Sequence, residues 1–292
     1  MERLLSQLIN GLHVGSVYAL IALGYTMVYG IVKLINFAHG DLIMVGAYTA
    51  MILMTRVGLP FWLVAGMAIV FCVALGVTIE RVAYKPLRQS PRISALITTI
   101  GVSLLLQNSV QLLFSPNPQP FPTLLRMPPL LIGKLLISRI TIITILTSIV
   151  LMIVLQLFVR GTKRGKAMRA VSENMDAAKL MGINVNTTIS ITFAIGSALA
   201  VVGALLYSIA YPSVSPTMGM LPGLKAFIAA VLGGIGLLPG AMLGGFIMGI
   251  AESLTKGYIS TQLADAVVFG ILILVLLMKP SGLLGRHTSE KV

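Results

Sequence analysis

Few residues in this chain can do chemistry. Among 292 residues there are eight acidic side chains and three histidines. Glu2, Glu80, Glu173, Asp176 and Glu290 fall at ends or in polar stretches, leaving Asp41, Glu252 and Asp265 beside apolar sequence. Ion coupling across lipid needs Asp, Glu, Arg or His at mid-membrane, and no carboxylate–lysine network is predicted in a span centre. His13, His39 and His287 are too scattered for a metal site. Cys72 is the single cysteine, so an internal disulfide and a thiolate cluster are excluded. HExxH, GxSxG and a phosphate loop are missing too. Proton coupling and enzymatic chemistry are disfavoured. No cofactor or metal is expected.

The polar residues are instead concentrated in one place. Residues 160–184 carry six basic and two acidic side chains between long apolar stretches. Asn174 is suited to cap a helix over 175–181, with Gly182 as its stop. Asp176 in the first turn and Lys179 in the last complement the helix dipole. Ala177, Leu180 and Met181 share one face at i, i+3, i+4 spacing. This describes a short helix with an apolar patch and a charged rim, fit for a groove on a soluble partner. The bland alternative is a basic loop with a chance helical turn.

The surrounding elements are those of a membrane protein. The chain is 57% hydrophobic and 10% charged, against roughly 25% charged in soluble domains. Stretches 12–34, 61–79, 93–114, 140–159, 187–210 and 263–278 approach the ~20 apolar residues of a spanning helix. Backbone groups in lipid must pair internally, so these are helices. The expected fold is all-α and polytopic, about eight transmembrane helices in one domain over 1–292, some broken or re-entrant. Net charge is +13; short basic loops set orientation, so nucleic acid is not the expected partner. Placing Lys33, 81–92, 160–179 and 279–291 inside puts 14 of the 21 basic residues there. Arg3, Arg56, Arg126, Lys134, Arg139, Lys225 and Lys256 then lie outside.

Two breaks interrupt the apolar pattern. One is at 36–41, around Asn36, Gly40 and Asp41. The other joins two short pieces, 224–235 and 240–253, through Gly236 and Pro239; it reads as a re-entrant or kinked pair entered from outside. Irregular backbone at membrane depth belongs beside protein or a water-filled path, so Asn36, Gly40, Asp41, Gly233, Gly234 and Gly236 are candidate path residues. Close helix packing is the alternative for each glycine. Asp41 is expected first as a cap for a helix over 42–55. Tyr18, Tyr25 and Tyr29 are expected to pack, Cys72 to fill core, and Glu252 to pair with Lys256 at i, i+4. Residues 115–129 hold six of the fourteen prolines and read as an exposed, stiff, extended loop.

Asp176-Ala177-Ala178 with Gly182 resembles the EAA-xxx-G coupling motif of ABC-importer permeases, with Asp for Glu. The wider sequence is similar to branched-chain amino acid permeases. The matching runs are GSVYALIALGYTMVYG at 15–30, INFAHG at 35–40 and IERVAYKPLR at 79–88, then Lys225-Ala226-Phe227 with AAVLGGIG at 229–236. Pro239-Gly240-Ala241 and KPSGLLGR at 279–286 complete them; only 115–137 fails to match. The resemblance implies a multi-pass subunit of a bacterial inner-membrane importer of leucine, isoleucine and valine. It implies a second permease, two cytoplasmic ATP-binding subunits and an extracytoplasmic substrate-binding protein. Coupling maps to 172–182, that is to Ser172, Asn174, Asp176, Ala177, Ala178, Leu180, Met181 and Gly182. The alternatives are a related importer of urea or short amides, a passive small-solute channel, and an intramembrane enzyme.

Overall fold

The computed structural model describes residues 2–88, 90–122, 128–132 and 135–285. Helices come in the order α1 (Glu2–Val32), α2 (His39–Thr55), α3 (Phe61–Ile79), α4 (Arg92–Phe114), α5 (Arg139–Gly161), α6 (Lys163–Glu173), α7 (Met175–Leu180), α8 (Val185–Ala210), α9 (Met220–Gly233), α10 (Leu238–Tyr258) and α11 (Ala264–Met278). A π-helical turn, Glu80–Tyr84, extends α3. Among the described residues six helices are long and apolar enough to cross a membrane, and α9 and α11 are shorter apolar helices. The chain is an all-α, multi-pass membrane protein.

α1 is the hub, packed against α10, α8, α9 and α5. Lipid offers no hydrophobic drive between helices, so association rests on close packing through small residues. The α1–α10 seam shows this. A Cβ on Gly11 would lie 2.7 Å from Ile250 Cα, and one on Gly15 would lie 2.8 Å from the Gly245 carbonyl. α4 and α5 have mostly exposed faces and form the periphery.

Several boundaries differ from the sequence expectation. α1 begins at Glu2 rather than at 12, because α10 takes up its polar first turns. Ser253 Oγ donates to the Gln7 carbonyl at 2.8 Å, and Arg3 donates to the Gly257 carbonyl at 2.7 Å. α10 has 21 residues, enough to cross, where a short piece over 240–253 was expected. Its polar tail continues the helix because Glu252 and Ser253 have partners on α9 and α1. α11 is a 15-residue helix, shorter than a full span. Residues 115–122 are not simply exposed. Strand β1 (Gln119–Pro120) pairs with β4 (Ser213–Val214), and Phe121 is buried. A small hairpin, β2 (Leu130–Ile132) with β3 (Leu135–Ile137), follows.

The segments assigned to the inner side gather at one end. Glu80 pairs with Arg88 and accepts from Ser190 Oγ at 2.7 Å, while Arg88 donates to Asn186 Oδ1 at 2.6 Å. This ties the end of α3 to the start of α8. The backbone N–H groups of Leu283 and Leu284 donate to the Leu232 and Gly233 carbonyls at 2.8 and 3.1 Å. Arg126 and Lys134, assigned outside, and Arg286, His287, Glu290 and Lys291 lie outside the described residues.

Candidate functional site

The 160–184 segment is a built structure. Thr162 caps α6 by accepting from the Gly165 N–H at 3.0 Å. Met168 and Val171 of α6 are buried against the bundle, so the segment contributes to its own packing as well as to a surface. α7 matches the expected helix closely. Asn174 Oδ1 accepts from the Asp176 and Ala177 N–H groups at 2.9 Å each. At the other end the Gly182 N–H donates to the Lys179 carbonyl and the Ile183 N–H to the Ala178 carbonyl, both at 3.0 Å. Gly182 has φ +78°. This is a Schellman stop, which needs a left-handed residue.

The apolar face divides differently from the i, i+3, i+4 expectation. Ala178 is 3% exposed and packs inward, while Leu180 is 90% and Met181 82% exposed. Ala177 is exposed and Ser172 half-buried, its hydroxyl donating to the Arg169 carbonyl at 2.7 Å. Asp176 pairs with Lys179 at 3.0 Å in the open.

The second feature is the break between α1 and α2. Neither proline nor glycine lies within 33–38. Lys33 stops α1 in a left-handed conformation, φ 57°, which non-glycine residues adopt at a cost. Tertiary contacts hold it: Tyr84 donates its hydroxyl to the Ile35 carbonyl at 3.2 Å, and Asn36 is buried. Gly24 leaves room for the His39 ring, since a Cβ there would lie 2.6 Å from its Nε2. α2 starts at His39 with Ala38 at its cap position, so Asp41 lies within the first turn and caps nothing. Its Oδ1 instead accepts from Gln107 Nε2 of α4 at 2.8 Å.

Beside this break is a pocket of about 230 Å³. Asp41, Ser103 and Gln107 provide its polar wall, and Asp41 is the one charged residue lining it among the described residues. Ile35, Phe37, Ile100, Leu224 and Phe227 are among its apolar groups, with Gly40 at its edge. Tyr25 also lines it, its ring 4.4 Å from His39 and 5.8 Å from Phe227 between centroids. Asn36 Oδ1, His39 Nε2 and Asp41 Oδ2 are buried without a hydrogen-bond partner.

Residues 7–276 match the family described as branched-chain amino acid transport system, permease component. The chain belongs to that family. It is 46% identical to the high-affinity branched-chain amino acid transport system permease protein BraD of Pseudomonas aeruginosa, across 99% of this chain and 98% of the relative. It is 44% identical to the LivH permease of Escherichia coli K12, across 99% and 97%. It is 30% identical to a probable LivH permease of Methanocaldococcus jannaschii, across 91% and 88%. These relatives are named as transport permeases, and this chain is a transport subunit rather than an enzyme.

The permease distributes the remaining candidates over two places. Gly233, Gly234 and Gly236 form the α9–α10 turn, away from the pocket. Gly234 and Gly236 have φ +103° and +90°, and Gly234 packs against 281–285. The turn shares a cavity of about 70 Å³ with Gly30, Arg169 and Ser172, so it sits at the α6–α7 end. At the opposite end is a network that sequence reasoning missed. Lys225 Nζ lies 3.0 Å from Glu252 and 2.6 Å from Asp265, and Lys256 lies 2.6 Å from Glu252, the one pairing foreseen. Tyr18 donates to Glu252 at 2.8 Å. Four helices contribute, so no local spacing could reveal it.

Proposed function

We propose that this permease is one of two different membrane subunits of an ATP-driven importer of leucine, isoleucine and valine in a bacterial inner membrane. Two cytoplasmic ATP-binding subunits and an extracytoplasmic substrate-binding protein complete it. The relatives support the substrate class through their names. The observation that carries the coupling role is α7. A helix of six residues is marginal alone, yet this one is capped at both ends while displaying Leu180 and Met181. Exposed apolar side chains in a basic segment are what a soluble partner's groove would bury. On this reading α6–α7 face the cytoplasm and take up the motion of the ATPases.

The path is assigned to the α1–α2 break, through Asn36, Gly40 and Asp41. Gly233, Gly234 and Gly236 serve as the joint between α9, which lines the pocket, and the α7 end. Broken helices near mid-membrane are how transport folds offer backbone polarity to a substrate.

Ala178→Glu forces a charge into a buried site beneath α7 and is expected to abolish ATPase association and leucine uptake while leaving insertion intact. Co-purification with the ATP-binding subunits and cellular uptake of labelled leucine measure both. Normal uptake by this variant would contradict the coupling role.

A further inference from the structure

We infer that Asp41 reads the ammonium group of the transported amino acid, with the apolar wall of its pocket receiving the branched side chain. This rests on the import reading above and assigns to one carboxylate a contact the relatives' names do not mention.

Several observations converge. Asp41 is 2% exposed; its Oδ1 is held by Gln107, with the Ser103 hydroxyl beside the carboxylate. Its Oδ2 makes no hydrogen bond. A buried carboxylate oxygen without a partner is costly, and each such case calls for an explanation. Among the described residues lining the pocket there is no cation to pair with Asp41. Gln107 Nε2 also lies 3.1 Å from Ser103 Oγ, which fixes the amide that holds Oδ1. The carboxylate is thus oriented by its neighbours and left with acceptor capacity. The same pocket is lined by Phe37, Leu224 and Phe227, apolar groups suited to a leucine or valine side chain. An ammonium donates up to three hydrogen bonds and a carboxylate only accepts them, so the match is of charge and hydrogen-bonding sense.

The contact separates leucine from 4-methylpentanoate, the same skeleton without the amino group. The assembled complex would be placed in lipid nanodiscs with Cys72→Ala and Leu104→Cys, which puts a reporter thiol on the pocket rim. Labelling by methyl methanethiosulfonate, which carries no charge, would be followed on this chain's peptide by mass spectrometry. Leucine is expected to slow labelling and 4-methylpentanoate to leave it unchanged. Asp41→Asn should raise the leucine concentration needed for protection at least about tenfold, with the unprotected labelling rate preserved. Asp41→Glu, which keeps the charge, should recover part of the loss; if Asp41→Asn does not assemble, this second variant must still favour leucine over 4-methylpentanoate. Equal protection by both compounds, or leucine protection untouched by Asp41→Asn, overturns the assignment. A Cys72→Ala, Leu104→Cys complex that imports leucine into proteoliposomes, while leucine fails to protect its thiol in nanodiscs, overturns it too and leaves the import reading standing. A wild-type complex that imports no leucine defeats the import reading itself.

Discussion

The network around Lys225 and the pocket around Asp41 both bury charge in a chain that has little of it, and they solve the problem in opposite ways. At Lys225 two cations meet two carboxylates, and Tyr18 adds a donor to Glu252. Buried charges persist when paired and hydrogen-bonded, and here the pairing is internal. At Asp41 one oxygen is held and the other is free. A closed set of charges locks α9, α10 and α11 together. An open one is poised for something from outside the chain.

Lys225→Met should break this contrast most severely. It leaves Asp265 without its cation and Glu252 with only Lys256 and Tyr18, so the loss should approach but not reach the roughly 3–5 kcal/mol of a fully buried pair broken on one side. A large drop in melting temperature of the detergent-purified chain is expected, together with poor assembly. The double variant Lys225→Met, Glu252→Gln should recover part of that loss, because fewer charges stay unpaired; no recovery would mean that packing rather than charge holds this region.

Asp41→Asn should behave differently. It keeps an acceptor for Gln107 and should leave the melting temperature nearly unchanged, while the leucine concentration giving half-maximal uptake rises. A collapse in stability comparable to that of Lys225→Met would erase the distinction between the two regions.

Smaller effects are expected at the α7 end. Gly182→Ala places a Cβ on a residue with φ +78° in open space, so the cost is backbone strain alone, about 1 kcal/mol. Thermal unfolding should report a shift of a few degrees at most. Lys179→Ala removes an ion pair whose side chains are 58% and 86% exposed. Such pairs contribute roughly 0.2–1 kcal/mol, and stability should hardly change; a measurable loss of ATPase association would place Lys179 in the docking surface.

What was legible in the sequence follows the range of the interaction. The caps of α7 are local: Asn174 reaches N–H groups two and three residues on, and Gly182 closes the helix within one turn. Composition and spacing therefore predicted them. The Glu252–Lys256 pair is one helical turn apart and was legible for the same reason. The break at 33–38 was placed nearly correctly, but its cause was hidden, since Tyr84 and Gly24 hold it from elsewhere in the chain. Asp41 looked like a cap because it precedes an apolar run. The helix begins two residues earlier, and its carboxylate is drawn to Gln107, 66 positions away.

By itself the sequence determined that this protein lives in lipid, that it is helical, that residues 160–184 are polar and that a short capped helix forms there. Each is a consequence of hydropathy, of backbone pairing in a solvent without water, or of contacts within a turn. Tertiary structure alone decided which charges would be neutralised and which left open. It brought Lys225 to Glu252 and Asp265 across three helices, and it left Asp41 one free oxygen beside a pocket. Partners that far apart in the chain are chosen by helix packing, and packing depends on shape at every contact rather than on the identity of neighbours in sequence.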